Sequence, residues 1–528
     1  MHGILPFLLA MVAAIVLLEM LATKLRVAYP IVLVVAGLLI SFIPGLPAIK
    51  VNPDLIFFIV LPPLLSEAAW NISFKEMKKW YRIITSFAFL VVLFTALSVA
   101  VVANLYIPGF SIALGFLLGG IVSPPDAVSA SAITKFVKIP KSTATILEGE
   151  SLLNDASSLI IFRFALIAVG TGQFIWQGAA LSFVWMIIGG AGAGLLLGWF
   201  FVQMHKILPT DASSDIAFTI IEPYFMYWVG EEIHSSGVLA VVAGGLYMAN
   251  RRLIFLNSAS RIMGYNVWES FIFILNGIVF LIIGLDLSEI VAGIRSEGIP
   301  LITAIGYGLL VTGVLILTRI ISAYTAMLAT LIFRRNVLPG GRSPKRLLIL
   351  PLILGWTGMR GVVSLAAALA IPVTLANGDN FPHRNLILFI TFIVILLTLV
   401  VQGLTLPFII SRSKMFETDM FNIVPEEVAS GKLRKDLQEH THHFLRTKFD
   451  GEWKDDLHVQ QILQHWEDKA KTPEVDWRSE KTKKMYFEML DSQRDFLMQA
   501  NQDPSLNEEI VRHHLYLLDL EEERIKLL

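Results

Sequence analysis

The run Glu148-Gly149-Glu150-Ser151-Leu152-Leu153-Asn154-Asp155-Ala156-Ser157-Ser158 leads directly into an apolar stretch that ends near Val169. A helix of that length crosses a hydrocarbon core of about 30 Å, so ionisable groups are carried into or beside lipid. A charge at the bilayer centre costs about 2.5 kcal/mol or more, and residues that bear one face a bundle interior and mark an ion or proton path. At helical spacing Glu150 and Asn154 are i,i+4 neighbours, as are Ser151 and Asp155, so one face presents a stack of oxygen ligands. The competing reading is a soluble amphipathic helix with a charged face. The membrane-length apolar segments on either side argue against it.

Composition agrees with the membrane reading. The 528 residues are 55% hydrophobic and 16% charged, with a mean hydropathy of +0.66, too apolar for an ordinary soluble chain. There is no cysteine, which excludes disulfides and thiolate chemistry. Residues 1–411 carry 24 Lys and Arg against 18 Asp and Glu, whereas 412–528 carry 18 against 25. Two regions with different solvents follow: a membrane transporter domain over 1–411 and a cytoplasmic, helical regulatory region over 412–528. The first apolar run, from Ile4 to Ala22, lacks a basic leader and a small-residue cleavage site, and reads as a retained helix.

Apolar windows of about 20 residues fall near 4–23, 29–46, 54–70, 82–106, 110–134, 144–169, 176–203, 212–230, 234–250, 266–288, 299–333, 346–375 and 385–411. The expected fold is an all-α polytopic membrane protein of about thirteen transmembrane helices with a helical cytoplasmic tail. Loop charges orient it. Eighteen Lys and Arg fall on alternate loops, including Lys75, Lys78, Lys79, Arg251, Arg252, Arg334 and Arg335, against Lys50, Arg295 and Arg384 on the others. The excess of basic residues in cytoplasmic loops puts the amino terminus outside and the carboxyl terminus in the cytoplasm. Arg163, Arg319 and Arg360 remain inside spans, where the available acids are Glu19, Glu67, Asp126, Glu148, Glu150, Asp155, Asp215, Glu222 and Glu269.

Two spans are interrupted. The fifth reads Gly119-Gly120-Ile121-Val122-Ser123-Pro124-Pro125-Asp126, where two prolines remove donors and disfavour helix before them. The twelfth reads Gly355-Trp356-Thr357-Gly358-Met359-Arg360-Gly361. Each is the middle span of a triplet, four to six and eleven to thirteen, and the triplets start on opposite sides of the membrane. Paired interruptions in inverted repeats point to a secondary transporter's binding site, so both are expected to be unwound crossing helices.

Unwinding frees carbonyl oxygens and half-helix ends, which suits a bare cation. Asp126 follows the first break and Asp155 lies on the neighbouring span. Two carboxylates sharing a buried site do not both stay ionised cheaply, so either a proton or a small cation neutralises the pair. That competition makes an antiporter. Oxygen ligands from Asp126, Asp155 and Ser151, with no Cys or His nearby, select hard ions: Na+ or Li+ fits best, and K+ is the alternative. Arg360 is expected to pair with Glu150 and tie the broken helices together. Arg163 and Arg319 are expected to be structural, neutralising Glu148 or meeting lipid headgroups.

Leu61-Pro-Pro-Leu-Leu-Ser-Glu67-Ala-Ala, Ser123-Pro-Pro-Asp126-Ala-Val, the Glu148 to Ala156 run and Gly358-Met-Arg360-Gly together resemble the sodium/proton exchangers of the cation/proton antiporter superfamily, in their bacterial branch. The resemblance covers residues 1 to about 411. It implies thirteen spans divided between a core and a dimer domain, a homodimer, and an elevator-like exchange of Na+ for H+ across the cell membrane in pH and sodium homeostasis. Asp155 matches the family's ion- and proton-binding aspartate, Asp126 the acid of the first unwound helix, and Ser151 the hydroxyl ligand. Asn154 before Asp155 marks the electroneutral members. Glu150 and Arg360 match the structural ion pair, and Glu67 an acid placed near the site through water. Many relatives have Thr at Pro125, which keeps the carbonyl and loses a hydroxyl, and Phe at Ser66. No cofactor is implied beyond the transported ions.

From about Phe416 the chain is polar, with apolar positions at helical spacing in Val424 to Phe449, Leu457 to Trp466, Thr482 to Ala500 and Ile510 to Leu528. Seven of eleven histidines lie here: His440, His442, His443, His458, His465, His513 and His514. Their titration range suits pH sensing, but no metal-ligand spacing appears and solvated surface positions account for them. No tail partner is identified. Two other classes compete for the whole chain. An intramembrane aspartyl hydrolase would also use two aspartates, but neither lies in a Gly-x-Gly-Asp context. A cation channel would build its pore from repeated filter segments, and none is visible. Nucleic-acid binding has no support.

Overall fold

The computed structural model describes residues 4–25, 27–42, 56–72, 74–126, 141–172, 176–208, 211–333, 344–375 and 378–413, a few positions between 436 and 447, and 480–500 and 508–526. The chain separates into two compact units, Met1–Phe421 and Asn422–Leu528.

In the first unit the helices are α1 (Ile4–Leu25), α2 (Tyr29–Ser41), α3 (Leu61–Asn71), α4 (Phe74–Thr85), α5 (Val92–Tyr106), α6 (Ile112–Val122), α7 (Lys141–Thr171), α8 (Trp176–Ile207), α9 (Ala212–Glu232), α10 (Gly237–Ala249), α11 (Arg252–Phe255), α12 (Ser258–Leu285), α13 (Leu287–Ser296), α14 (Leu301–Phe333), α15 (Pro344–Trp356), α16 (Val362–Leu369), α17 (Arg384–Leu397) and α18 (Gly403–Ser413). Wider turns join α4 to α5 and α17 to α18, so each pair continues as one rod. No β-strand occurs among the described residues; one antiparallel bridge joins Thr374 and Asn380.

Helix starts follow local chemistry. Ser111, Asp211, Ser236 and Asn257 each accept a backbone N–H of the first turn of α6, α9, α10 and α12, which satisfies donors that the helix itself leaves open. Prolines stand in the first turns of α2 and α3, where a missing N–H costs nothing. Among the described residues, six helical stretches are long and apolar enough to cross a membrane: Met77–Tyr106, Ala144–Thr171, Leu181–Ile207, Ser258–Ser296, Leu301–Ala329 and Arg384–Ile410. Their outward faces carry large apolar side chains such as Leu181, Leu196, Trp199, Leu309 and Leu317, as lipid-facing surfaces do. With the family reported below, this is a multi-pass membrane protein.

The unit divides into two packing groups. One joins α1, α2, α3, α8, α9, α10 and α12; the other joins α4 to α7 with α14 to α18. Small residues set the closest approaches, as expected where lipid supplies no hydrophobic drive for helix pairing. A Cβ on Gly119 of α6 would lie 2.5 Å from the Ala96 carbonyl of α5, and one on Gly194 of α8 would lie 2.1 Å from that of Ala240 in α10. In the second group α6 packs against α5, α7, α16 and α17. Both interruptions expected from the sequence fall there: α6 ends at Val122, and a non-helical stretch separates Trp356 from Val362. Residues 127–140, the continuation of the fifth span, lie outside the described residues.

The second unit has α19 (Glu480–Ala500) and α20 (Glu508–Lys526), which pack on each other. Leu490 and Ile525 are buried, and Arg494 pairs with Asp491, Asp519 and Glu522. These are the last two tail segments expected from helical spacing. His440, His443 and His514 are exposed; Leu457 to Trp466 lies outside the described residues, as does most of Val424 to Phe449.

Candidate functional site

The loss of helix after Val122 leaves carbonyls without intrahelical donors, and the structure spends Arg360 on them. Its Nε donates to the Val122 carbonyl at 2.8 Å and its Nη2 to that of Ser123 at 3.4 Å, while Nη1 reaches the Gly358 carbonyl. A guanidinium at a helix carboxyl end also complements the dipole. The two breaks are joined directly as well: the Asp126 N–H donates to the Met359 carbonyl at 2.7 Å. The Arg360 N–H is held in turn by Thr398 Oγ1 at 3.1 Å.

Opposite this crossing, α7 presents Ser151, Asn154 and Asp155, all buried. The Pro125 carbonyl accepts from Ser151 Oγ at 3.1 Å and from Asn154 Nδ2 at 3.5 Å. The carbonyl kept at Pro125 is thus engaged by both polar neighbours of Asp155. Asp155 is 8% exposed and lies within electrostatic reach of Asp126. Asp126 rests on the second break: a Cβ on Gly361 would stand 2.2 Å from its Oδ2. Asn154 Oδ1 is buried and has no hydrogen-bond partner among the described residues. Two carboxylates, a hydroxyl, a peptide carbonyl and an amide oxygen therefore lie together where two helices are broken, oxygen donors of the kind that suit hard cations and protons.

The Glu150–Arg360 pair expected from the sequence is corrected by the structure. Glu150 is held in a bidentate pair by Arg319 of α14, at 2.6 and 2.9 Å, with both side chains almost fully buried. Gly358 lets the Arg319 stem pass, since a Cβ there would lie 2.3 Å from Arg319 Cδ. Arg360 feels both the Arg319 and the Glu150 charge, so Glu150 is the anion between two guanidiniums, and only one of them touches it. Arg163 does not neutralise Glu148 either. It pairs with Glu231 at the end of α9, and Glu231 also accepts the Gly237 N–H at 3.1 Å, at the start of α10.

Glu67 of α3 lines a cavity of about 1030 Å³ among α1, α2, α3, α9, α11 and α12, with Arg252 and Arg261 also on its wall and Tyr29, Ser66 and Asn276 among its lining. Its carboxylate accepts from Asn71 Nδ2. Asp215 and Glu222, two of the intramembrane acids, are occupied elsewhere. Asp215 Oδ1 lies 3.0 Å from Nδ1 of buried His205, Glu222 Oε1 lies 2.8 Å from its Nε2, and Ser260 donates to Asp215 Oδ2 at 2.6 Å. Sequence reading missed Thr398, Tyr29, Asn276 and His205, and it quoted Gly361 only as part of the second break. Only His205, a histidine near the end of an apolar span, carried a signal that could have found it.

The family model described as sodium/hydrogen exchanger, transmembrane, matches residues 8–412. A Bacillus pumilus protein named sodium, potassium, lithium and rubidium/H+ antiporter is 34% identical over 387 residues, 72% of this chain and 57% of its own length. This chain thus spans little more than half of that relative. The low-affinity Na+/H+ antiporter NhaS1 of Synechocystis is 32% identical over 389 residues, covering 73% and 69%. Among solved structures, that of the sodium proton antiporter MjNhaP1 from Methanocaldococcus jannaschii at pH 8 superposes with a TM-score of 0.64 at 18% identity, over 77% of this chain and 98% of that one. It has the same fold.

Proposed function

The chain belongs to the sodium/hydrogen exchanger family, and from that premise we propose that it is a secondary antiporter exchanging Na+ or Li+ for H+, electroneutrally and one for one. Membership in a transporter family sets aside the hydrolase and channel readings. The single observation that carries the site assignment is the union of the two breaks through the Asp126 N–H and the Met359 carbonyl, with Asp155 facing them. Asp155 and Asp126 hold the cation or the proton, Ser151 and the Pro125 carbonyl complete the oxygen set, and Asn154 orients that carbonyl. One H+ or one Na+ each lowers the negative charge of the buried pair by the same single unit, and only the pair that carries one of them moves between the two faces at low cost.

The two packing groups of the first unit support a core, bearing the site, and a scaffold that carries the homodimer contact, arranged as about thirteen spans with inverted repeats and elevator-like access. The large apolar faces of α1 and α8 suit lipid or a second copy. The amino terminus is then outside and the carboxyl terminus in the cytoplasm of a cell-membrane protein serving pH and sodium homeostasis. A K+/H+ exchanger is the second reading, because the Bacillus pumilus relative's name includes potassium.

The test is dissipation of an imposed pH gradient in everted vesicles by Na+, Li+ or K+, with and without a clamped membrane voltage. Na+-dependent proton movement that is indifferent to voltage supports electroneutral Na+/H+ exchange. A dependence on voltage overturns the stoichiometry, and preference for K+ overturns the ion assignment.

Gly361→Ala is expected to lower the maximal rate about tenfold or more, because the new methyl occupies the place of the Asp126 carboxylate and a site displaced by 1 Å loses its alignment. The protein should remain in the membrane, and a normal rate in the same vesicle assay would show that Asp126 does not need this seat.

A second prediction concerns Arg163 and Glu231. They join the site-bearing helix α7 to α9 at the end of α9 opposite Asp215, which meets Ser260 of the wall of the large cavity. This ion pair is taken to hold α7 against the scaffold on that side. The chain has no cysteine, so a lone Leu159→Cys reporter, in the small cavity that Leu159 lines together with Arg163 and Glu231, is clean. Adding Arg163→Gln should raise its labelling by a membrane-impermeant maleimide applied from the Glu231 side by about threefold to tenfold, and the exchange Arg163→Glu with Glu231→Arg should restore protection. Unchanged labelling in Arg163→Gln would remove the pair from access control.

A further inference from the structure

The wall of the large cavity contains two residues that the site described above does not use. Tyr29, at the start of α2, is hydrogen-bonded to Asn276 of α12 and lies within electrostatic reach of Asp126, Glu67 and Glu19. Asn276 is only 2% exposed, it lines the cavity, and its Oδ1 has no hydrogen-bond partner among the described residues. A buried amide oxygen without a partner is costly, and where one persists in a folded protein a water or an ion is the usual reason. Amide, phenol and carboxylate oxygens are ligands of hard cations.

These residues line the cavity, and Tyr29 among them feels the charge of Asp126, so this wall is the one within electrostatic reach of the paired aspartates. Glu67 and Ser66 come from α3, Tyr29 from α2 and Asn276 from α12, all in the helix group that does not carry Asp155. Glu67 brings negative charge to the same wall, and Tyr29 and Asn276 bring neutral oxygens. A cation leaving water loses several kcal/mol of hydration at once unless protein oxygens replace its shell in steps.

Building on the antiport reading, we propose that Asn276 and Tyr29 form with Glu67 a cation approach site on the wall of this cavity, where an entering Na+ or Li+ exchanges part of its water shell for protein oxygens before reaching Asp126 and Asp155. The site acts on one face only. It raises the local concentration of small hard cations and discriminates against K+, whose larger shell gains less from a few fixed oxygens.

The experiment measures the KM for Na+ on each face separately, in everted and in right-side-out vesicles, for the full chain and for Asn276→Leu, Asn276→Ser and Tyr29→Phe. On the face that exposes Arg252 and Arg261, Asn276→Leu is expected to raise the KM for Na+ about tenfold, Tyr29→Phe about threefold, and Asn276→Ser less than Asn276→Leu. The KM on the opposite face should change by less than about twofold, with detailed balance met through the maximal rates. The preference for Na+ over K+ on the Arg252 face should narrow in the same order. Equal KM on the Arg252 face in every variant, or an equal rise on both faces, overturns the approach site. If Asn276→Leu does not accumulate, Asn276→Ser and Tyr29→Phe decide by the same comparison. Absence of cation-dependent proton movement in the unaltered protein is a different result: it removes the antiport reading itself.

Discussion

Asp155→Asn is expected to abolish cation-driven proton movement, by about a hundredfold or more, while the protein stays folded in the membrane. The substitution keeps shape and an amide oxygen but removes both things exchange needs: a group that takes and releases a proton, and a negative charge that offsets the cation in a dry site, where such a contact is worth several kcal/mol. Asp126 alone is then left to neutralise either ligand. Stability should not fall. Asp155 and Asp126 repel each other when both are ionised, so removal of one charge leaves the thermal midpoint unchanged or raises it. The checks are the vesicle assay and a thermal melt of the purified protein. Transport at the normal rate would mean that the proton is carried elsewhere, and loss of transport with a collapsed melting point would make Asp155 structural.

The other large effect falls on Glu150 and Arg319. Breaking a buried, hydrogen-bonded ion pair by removing one partner leaves an uncompensated charge and costs about 3–5 kcal/mol. The geometry adds an order to that cost. Glu150→Gln leaves two guanidiniums, Arg319 and Arg360, facing each other without the anion that acts on both. Arg319→Gln leaves Glu150 still within the field of Arg360. Glu150→Gln should therefore lower the melting temperature more than Arg319→Gln does. Replacing Glu150 and Arg319 together by leucine should cost less than Glu150→Gln, since no acceptor or donor of the pair is stranded. The reverse order would indicate that Arg360, and not Arg319, is the partner on which Glu150 depends.

The lesson of this pair is general to membrane helices. Sequence spacing placed Glu150, Arg319 and Arg360 inside spans and required partners for each, because an unpaired charge in lipid is costly. It favoured Arg360 as the partner because the two breaks had to be joined. They are joined, but through backbone: a carbonyl set free by proline is itself an acceptor, and Arg360 satisfies the Val122 and Ser123 carbonyls before any carboxylate. The same limit hid the fates of Asp215 and Glu222. Both were legible as intramembrane acids and neither as a ligand of His205, since that depends on how α8 packs beside α9.

The sequence by itself determined that this chain is helical and membrane-embedded and that two spans are broken, and it singled out Asp126, Ser151, Asn154 and Asp155 as the candidates for one ion site. Those follow from length, apolar windows, proline chemistry and helical spacing, all of which act within a few residues of the chain. Only the tertiary structure decided that Arg319 neutralises Glu150, that Gly361 is the seat of the Asp126 carboxylate, that Arg163 meets Glu231, and that Tyr29 and Asn276 line the same cavity as Glu67. Each of these depends on which helix faces which, and in lipid that choice is made by close packing of small residues and by the pairing of buried polar groups across more than a hundred residues of intervening chain in several cases, for which no local pattern exists.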